Sequence, residues 1–377
     1  MNNKNKFKIL IIDTYYSGFL RNFYLNNPTT INKSYQEQKK TLLNQCFGTS
    51  DYYSYNLQQL GYRADDLIVN DEILQRQWVK EHHLDVSGSN WFSKVQMLPY
   101  IHRFLGRPKW VQEITLAQIK VIKPDVVYMQ DLSILNSGTL QEIKKICKLL
   151  VGQIAYPLPA EENLKQFDLI LTSFPHYVER FRKMGINSEY FKIGFEVRVL
   201  DKVGEHDRIY DVGFIGSFSP HHSAGTKLLE EVASKIPLHV WGQGINFLSP
   251  TSPLRKNYHG EAWGLQMYKM LARTKIVINR HIDVAENHAN NMRLYESTGM
   301  GAMLITDKKD NLSDLFKVGQ EIISYETALD LTKKIEYYLK HEEKRQEIVK
   351  MGQKRTLEDH NYKKRMKELV KILERYL

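Results

Sequence analysis

The chain has 377 residues and a formal net charge of +10, with 42% hydrophobic and 25% charged residues. That length exceeds one ordinary core and suits two domains, and the composition excludes fibrous and broadly disordered classes. The two cysteines, Cys46 and Cys147, lie far apart with no CxxC, which argues against a zinc or disulfide framework and fits a reducing cytosol.

FKILIID (7–13) is a nearly continuous apolar run, as a buried parallel strand reads. It is too short for a signal-peptide core, and no other run approaches the roughly 20 residues that span a bilayer. A cytoplasmic location is therefore expected. YYSGFLRNFY follows, with Gly18 suited to a turn. Residues 34–60 read as helical, closed by Gly61 as a C-terminal cap. RADDLIVN gives a second strand, and residues 71–120 read as mostly helical with breaks at 86–90 and 106–108. KPDVVYMQD (123–131) is a strand, 138–149 a helix, and VGQIAYPLP (151–159) and FDLILTSF (167–174) are strands, followed by the helix HYVERFRKMG (176–185). Such alternation predicts an open parallel α/β sheet.

A second unit is expected from about residue 205. YDVGFIGSFS (210–219), IPLHVWGQG (236–244) and IVINRH (276–281) read as strands, with helices at TKLLEEVASKI and WGLQMYKMLARTK (263–275) between them. The last segment, KKRMKELVKILERYL, sets Met366, Leu369, Val370 and Leu373 at helical spacing among lysines. It reads as a docked amphipathic helix, with a membrane-surface role as the alternative. The basic balance suits anionic lipid or phosphate-bearing substrates. Nucleic acid is not expected, because aromatic and basic residues do not interleave.

Two α/β domains commonly hold a ligand between them, at the carboxyl ends of strands. The stretch NNMRLYESTGMGAMLITD (290–307) is the richest such place. Asn290 or Asn291 can cap a helix whose free N–H groups favour phosphate. Arg293 can add a bidentate contact, and Glu296, one turn on, can accept from two neighbouring hydroxyls such as a ribose diol. Gly299 and Gly301 are expected to form the turn into the next strand. Arg293 pairing with Glu296 or Glu286 is the structural alternative. His221, His222, His281 and His288 are either site or solvated loop residues.

YESTGMGAMLITD resembles the Glu-containing helix, glycine turn and strand of GT-B glycosyltransferases of the family-4-like group. With NLSDLFKVGQEIISY after it, the stretch is similar to the CgeB-like (spore maturation protein) glycosyltransferases. SYQEQKKTLLNQCFGTSDYYSYNLQQLGY also looks like their N-terminal domains. The resemblance implies an α/β GT-B fold, two Rossmann-like domains with parallel sheets facing a central cleft. Residues 1–200 would bind the acceptor, 205–340 the nucleotide-sugar donor, and 341–377 would be helices packing back across a hinge near 195–209.

It implies transfer of a sugar from a nucleotide-diphosphate sugar to a hydroxyl of a glycan or glycoconjugate, with retention and no required metal or cofactor. No Asp-x-Asp motif stands in a suitable loop. Carried over, Glu296 holds the donor ribose, with Gly216, Ser217, His259, Gly260, Asn291 and Gly299 as further donor contacts. Arg293, His288 and Asp13 are the catalytic candidates; Asp131 and Tyr16 are placed with the acceptor. Many family members carry a second Glu eight residues before the ribose Glu, where this chain has His288. That departure keeps a non-catalytic nucleotide-sugar or glycan-binding protein as an alternative, beside an epimerase of the same fold. The acceptor would be a glycan or a lipid-linked glycan, with peripheral membrane contact through the basic tail.

Overall fold

The computed structural model describes residues 6–86, 108–219 and 223–377. The sequence reading across 87–107, and that of His221 and His222, lies outside the described residues. Two compact units form, one of Met1–Phe191 joined by Met366–Leu377 and the other of Lys192–Arg365.

The first unit is built on a six-stranded parallel sheet. Its strands are β1 (Lys8–Asp13), β2 (Arg63–Ile68), β3 (Val126–Met129), β4 (Leu149–Gln153), β5 (Leu169–Thr172) and β6 (Ser188–Tyr190), in the order β2-β1-β3-β4-β5-β6. Ile9, Leu10, Ile11 and Ile12 of β1 are all buried, as a strand covered on both faces requires. β3 pairs with β1 through Ile12↔Met129, so the chain leaves both strands side by side. β6 went unread because three residues carry too little pattern.

The expected helical stretch over 34–60 is two helices, Tyr35–Leu43 and Tyr52–Gln59. Ser34 and Glu37 close a capping box on the first. Between the helices, Cys46, Gly48 and Ser50 have φ of 55°, 58° and 46°, which no helix tolerates. This loop brings Gly48 and Thr49 back to the end of β1. Phe47 anchors it, stacked on Phe19 at 4.0 Å between ring centroids. Phe19 belongs to a helix, Ser17–Asn26, in the segment where the sequence suggested only a turn.

The second unit holds a five-stranded parallel sheet of β7 (Tyr210–Ile215), β8 (His239–Trp241), β9 (Thr274–Asn279), β10 (Met303–Asp307) and β11 (Ile323–Tyr325), ordered β11-β10-β9-β7-β8. The helices Ser223–Ala233 and Ala328–Lys340 bury Leu229, Val232, Leu331 and Ile335 with Val212, Val240, Ile276, Ile278, Met303 and Ile305 in one core. Each fully buried aliphatic side chain contributes about 1.5–3 kcal/mol.

The last helix, Tyr362–Leu373, buries Met366, Leu369, Val370 and Leu373 and exposes Lys363, Lys364, Lys367 and Lys371. Its apolar face is thus used in packing, which leaves lysines rather than an apolar stripe for any anionic surface. Among the described residues no helix is long and apolar enough to cross a membrane.

Candidate functional site

Polar groups gather at the carboxyl ends of the strands in each unit. In the second unit, Asn291 caps the helix Met292–Gly299 and accepts from the Leu294 N–H at 3.3 Å. Its side chain is also tied to Asn279, the last residue of β9, by amide hydrogen bonds of 3.2 and 3.0 Å. The cap is therefore fixed to the sheet, and Asn291 serves first as a positioning group.

One turn on, Arg293 and Glu296 meet: Nη1 of Arg293 lies 2.8 Å from Oε2 of Glu296. The acid and base three residues apart pair with each other, which is the structural alternative the sequence left open. Glu296 is 5% exposed. Burial pushes its carboxyl above the ordinary value, against the charge of Arg293 and the Tyr268 hydroxyl. That hydroxyl lies 3.4 Å from the other carboxylate oxygen, and Nε of Arg293 has no partner among the described residues. The pair thus offers a carboxylate held by a neighbouring cation, with one guanidinium donor unspent.

Gly299 is not part of the turn. It ends the helix, and a Cβ there would lie 2.7 Å from the Phe195 ring. Gly301, at φ +68°, makes the turn into β10. Gly299→Ala is expected to lower stability by about 1–3 kcal/mol through overpacking, read from the midpoint of chemical denaturation with an unchanged slope.

The loops after β7 and β8 are joined through their glycines. The N–H of Gly216 donates to Trp241 at 3.0 Å, and that of Gly242 to Gly260 at 3.0 Å. Gly242 sits at φ +151°, and a Cβ there would fall 1.6 Å from the Gly216 carbonyl oxygen. Only glycine permits this approach, so Gly216, Ser217 and Gly260 are brought to one end of the sheet by backbone contact.

The His259 side chain faces elsewhere. It stacks on Trp241 at 4.8 Å and is hydrogen-bonded to His239 at 2.8 Å, and burial lowers the pKa of both imidazoles. At 259–260 it is backbone that remains for a ligand. His288 is half-buried in the loop before the Glu296 helix, its N–H donating to Ala285 at 2.9 Å.

In the first unit Asp13 ends β1, and Asp131 lies two residues beyond β3. Asp131 accepts from the Thr14 hydroxyl at 2.9 Å and from the Ser133 N–H and hydroxyl at 2.8 and 2.6 Å. Asp13 is held more loosely, by the Thr14 N–H at 2.8 Å and the Thr49 hydroxyl at 3.5 Å. Burial pushes its carboxyl up to about 7 and the Asp131 charge adds to this, against those two hydrogen bonds. Tyr16, 56% exposed, stands beside this pair at the start of the Ser17–Asn26 helix.

Sequence reasoning missed the loop that carries Thr49, and a buried contact between His281 and Asp307. The second was detectable only as two polar residues closing neighbouring strands. Among the described residues, no three His, Cys, Asp or Glu side chains cluster as metal ligands would.

Residues 225–371 match the model of a family described as glycosyl transferase-like. No curated protein sequence matches the chain. Similar solved structures include a glycosyltransferase from Rickettsia africae ESF-5, with 12% identity over 99% of each chain and a TM-score of 0.59. Sucrose-phosphate synthase from Thermosynechococcus elongatus shares 11% identity over 98% of this chain and 99% of that one, with a TM-score of 0.61. Anabaena Alr3699/HepE, solved with UDP and glucose, shares 13% over 98% of this chain and 99% of its own, with a TM-score of 0.58. The chain has the GT-B glycosyltransferase fold, and the match to the glycosyl transferase-like family falls mostly within its second unit.

Proposed function

We propose that this protein transfers a sugar from a nucleotide-diphosphate sugar to a hydroxyl of a glycan or glycoconjugate. The observation that carries this is the Arg293–Glu296 pair on a capped helix, at the same sheet end as the Gly216, Gly242 and Gly260 turns. Both partners lie within the segment that matches the glycosyl transferase-like family. Glu296 would receive the ribose hydroxyls. Arg293 and the helix N–H groups would stabilise the charge that develops on the leaving diphosphate. The similar structure of HepE, solved in complex with UDP-glucose, supports a donor of that chemical class. The NNMRLYESTGMG motif supports membership of the CgeB-like group, acting in the cytoplasm without a metal. Transfer is expected to survive EDTA, and loss of activity restored by a divalent cation would count against that part.

On the acceptor side, Asp13 favours a reading different from the retention that the resemblance implies. A carboxyl raised to about 7 is matched to taking a proton near neutrality. It would draw the proton from the acceptor hydroxyl as that oxygen attacks the anomeric carbon and the nucleoside diphosphate leaves. One such displacement inverts the anomeric centre. The test is NMR of the product formed from a donor of known anomeric configuration, with an acceptor panel that includes lipid-linked glycans. Inverted product supports Asp13 as base, and retained product removes it from that role.

A further inference from the structure

The Asp307–His281 contact has no part in the reading given so far. The two residues close β10 and stand just past β9, which are neighbours in the sheet. His281 is 3% exposed. Its Nδ1 lies 2.7 Å from Oδ1 of Asp307, and its backbone N–H reaches both carboxylate oxygens, at 3.1 and 3.3 Å. Lys309 stands 3.5 Å from Oδ2, and the Thr306 hydroxyl donates to Oδ1 at 3.2 Å. Burial disfavours the Asp307 charge, but the hydrogen bonds from His281 and the charge of Lys309 prevail and hold the carboxyl below its ordinary value.

A carboxylate at that position accepts from Nδ1. In the neutral imidazole the single proton is then on Nδ1, and Nε2 presents a lone pair. Nε2 is buried and has no partner among the described residues. A buried acceptor left unfilled costs free energy, and this one also borders a cavity from which a ligand group can reach it. His281 lines a narrow cavity with Ser217, Phe218, Gly225, Thr226 and Arg280. The Arg280 side chain lies against the first turn of the Ser223–Ala233 helix, where a Cβ on Gly225 would fall 1.6 Å from Nη1. An anionic oxygen would meet the Nε2 lone pair with repulsion, whereas an O–H group fits it.

We infer that His281, oriented by Asp307, accepts a hydrogen bond from a hydroxyl of the donor's sugar, making it a specificity-determining residue. This rests on the reading of the second unit as a sugar-nucleotide site. A site built to pair with a substrate hydroxyl rejects analogues that lack it, because its own polar group is then left unpaired. Asp307 is a positioning residue that fixes the imidazole tautomer.

The test is calorimetric titration of wild type, His281→Gln and Asp307→Asn with UDP, GDP and ADP and with UDP-glucose, GDP-mannose and ADP-glucose. Both variants should bind the free nucleotide as wild type does and bind the matching nucleotide sugar about tenfold more weakly. In wild type labelled with 15N-histidine, the His281 Nε2 resonance should move when the nucleotide sugar is added and stay when the nucleotide alone is added. In Asp307→Asn that resonance should already differ without ligand. Equal losses for nucleotide and nucleotide sugar, no loss for either, or an unmoved resonance would overturn the inference while leaving the sugar-nucleotide site intact. Wild type binding none of the six ligands would remove both. Melting of each variant without ligand separates a folding defect from these outcomes.

Discussion

Asp13→Asn should lower the transfer rate by about 10²–10⁴-fold, the range supplied by a positioned general base, and leave donor affinity unchanged. In wild type the rate should climb with pH through about 7, as the carboxyl loses its proton, and the variant should lack that limb. Stability should move the other way. The folded pKa of about 7 lies above the ordinary 3.8, so the folded chain keeps a proton that the unfolded chain releases. Stability from this group is therefore full below about 3.8 and is lost as pH rises to about 7. Asn carries no charge at any of these values. The variant should melt at a higher temperature than wild type at pH 8, and the difference should shrink towards pH 4. Unimpaired transfer by Asp13→Asn would show that the raised carboxyl is only a structural feature of the strand end.

Glu296→Gln should weaken binding of the nucleotide and of the nucleotide sugar alike, by about ten- to hundredfold. That is the scale of hydrogen bonds to a charged group. Gln is preferred to Ala because it keeps the shape of the side chain. Removing the carboxylate altogether would leave Arg293 as a half-buried charge, and breaking such a pair costs about 3–5 kcal/mol when it is fully buried. Even Gln leaves the guanidinium without its counter-charge, so the variant should also melt lower than wild type without ligand. Equal loss for nucleotide and nucleotide sugar is the signature of a ribose contact. It contrasts with the sugar-selective loss expected at His281.

Most strands of both sheets were legible, β6 and β11 excepted, because cores such as ILII (9–12) and IVI (276–278) are buried on both faces and so carry apolar sequence. The Glu296 helix was legible through its Asn cap and the glycine turn that ends it. What stayed hidden depended on contacts across the chain. The loop 44–51 read as helix because left-handed φ at Cys46 and Ser50 leaves no mark in composition. Gly299 read as a turn residue because nothing local tells of the Phe195 ring against it. His259 read as a ligand contact, but its ring is held by Trp241 and His239, the second of them 20 residues away. His281 and Asp307 were each visible as strand-end polar residues. Their pairing follows only from β9 and β10 being neighbours.

The most direct measurement is the melting temperature of wild type and Glu296→Gln with UDP, GDP, ADP, CMP and their sugar conjugates. A ligand that binds only the folded state stabilises it by about 2.7 kcal/mol at a concentration 100 times its Kd. One nucleotide and its sugar conjugate should raise the wild-type midpoint, and Glu296→Gln should lose most of that rise. No shift of the wild type with any nucleotide, or an undiminished shift in Glu296→Gln, would contradict the placement of a sugar-nucleotide site on this helix.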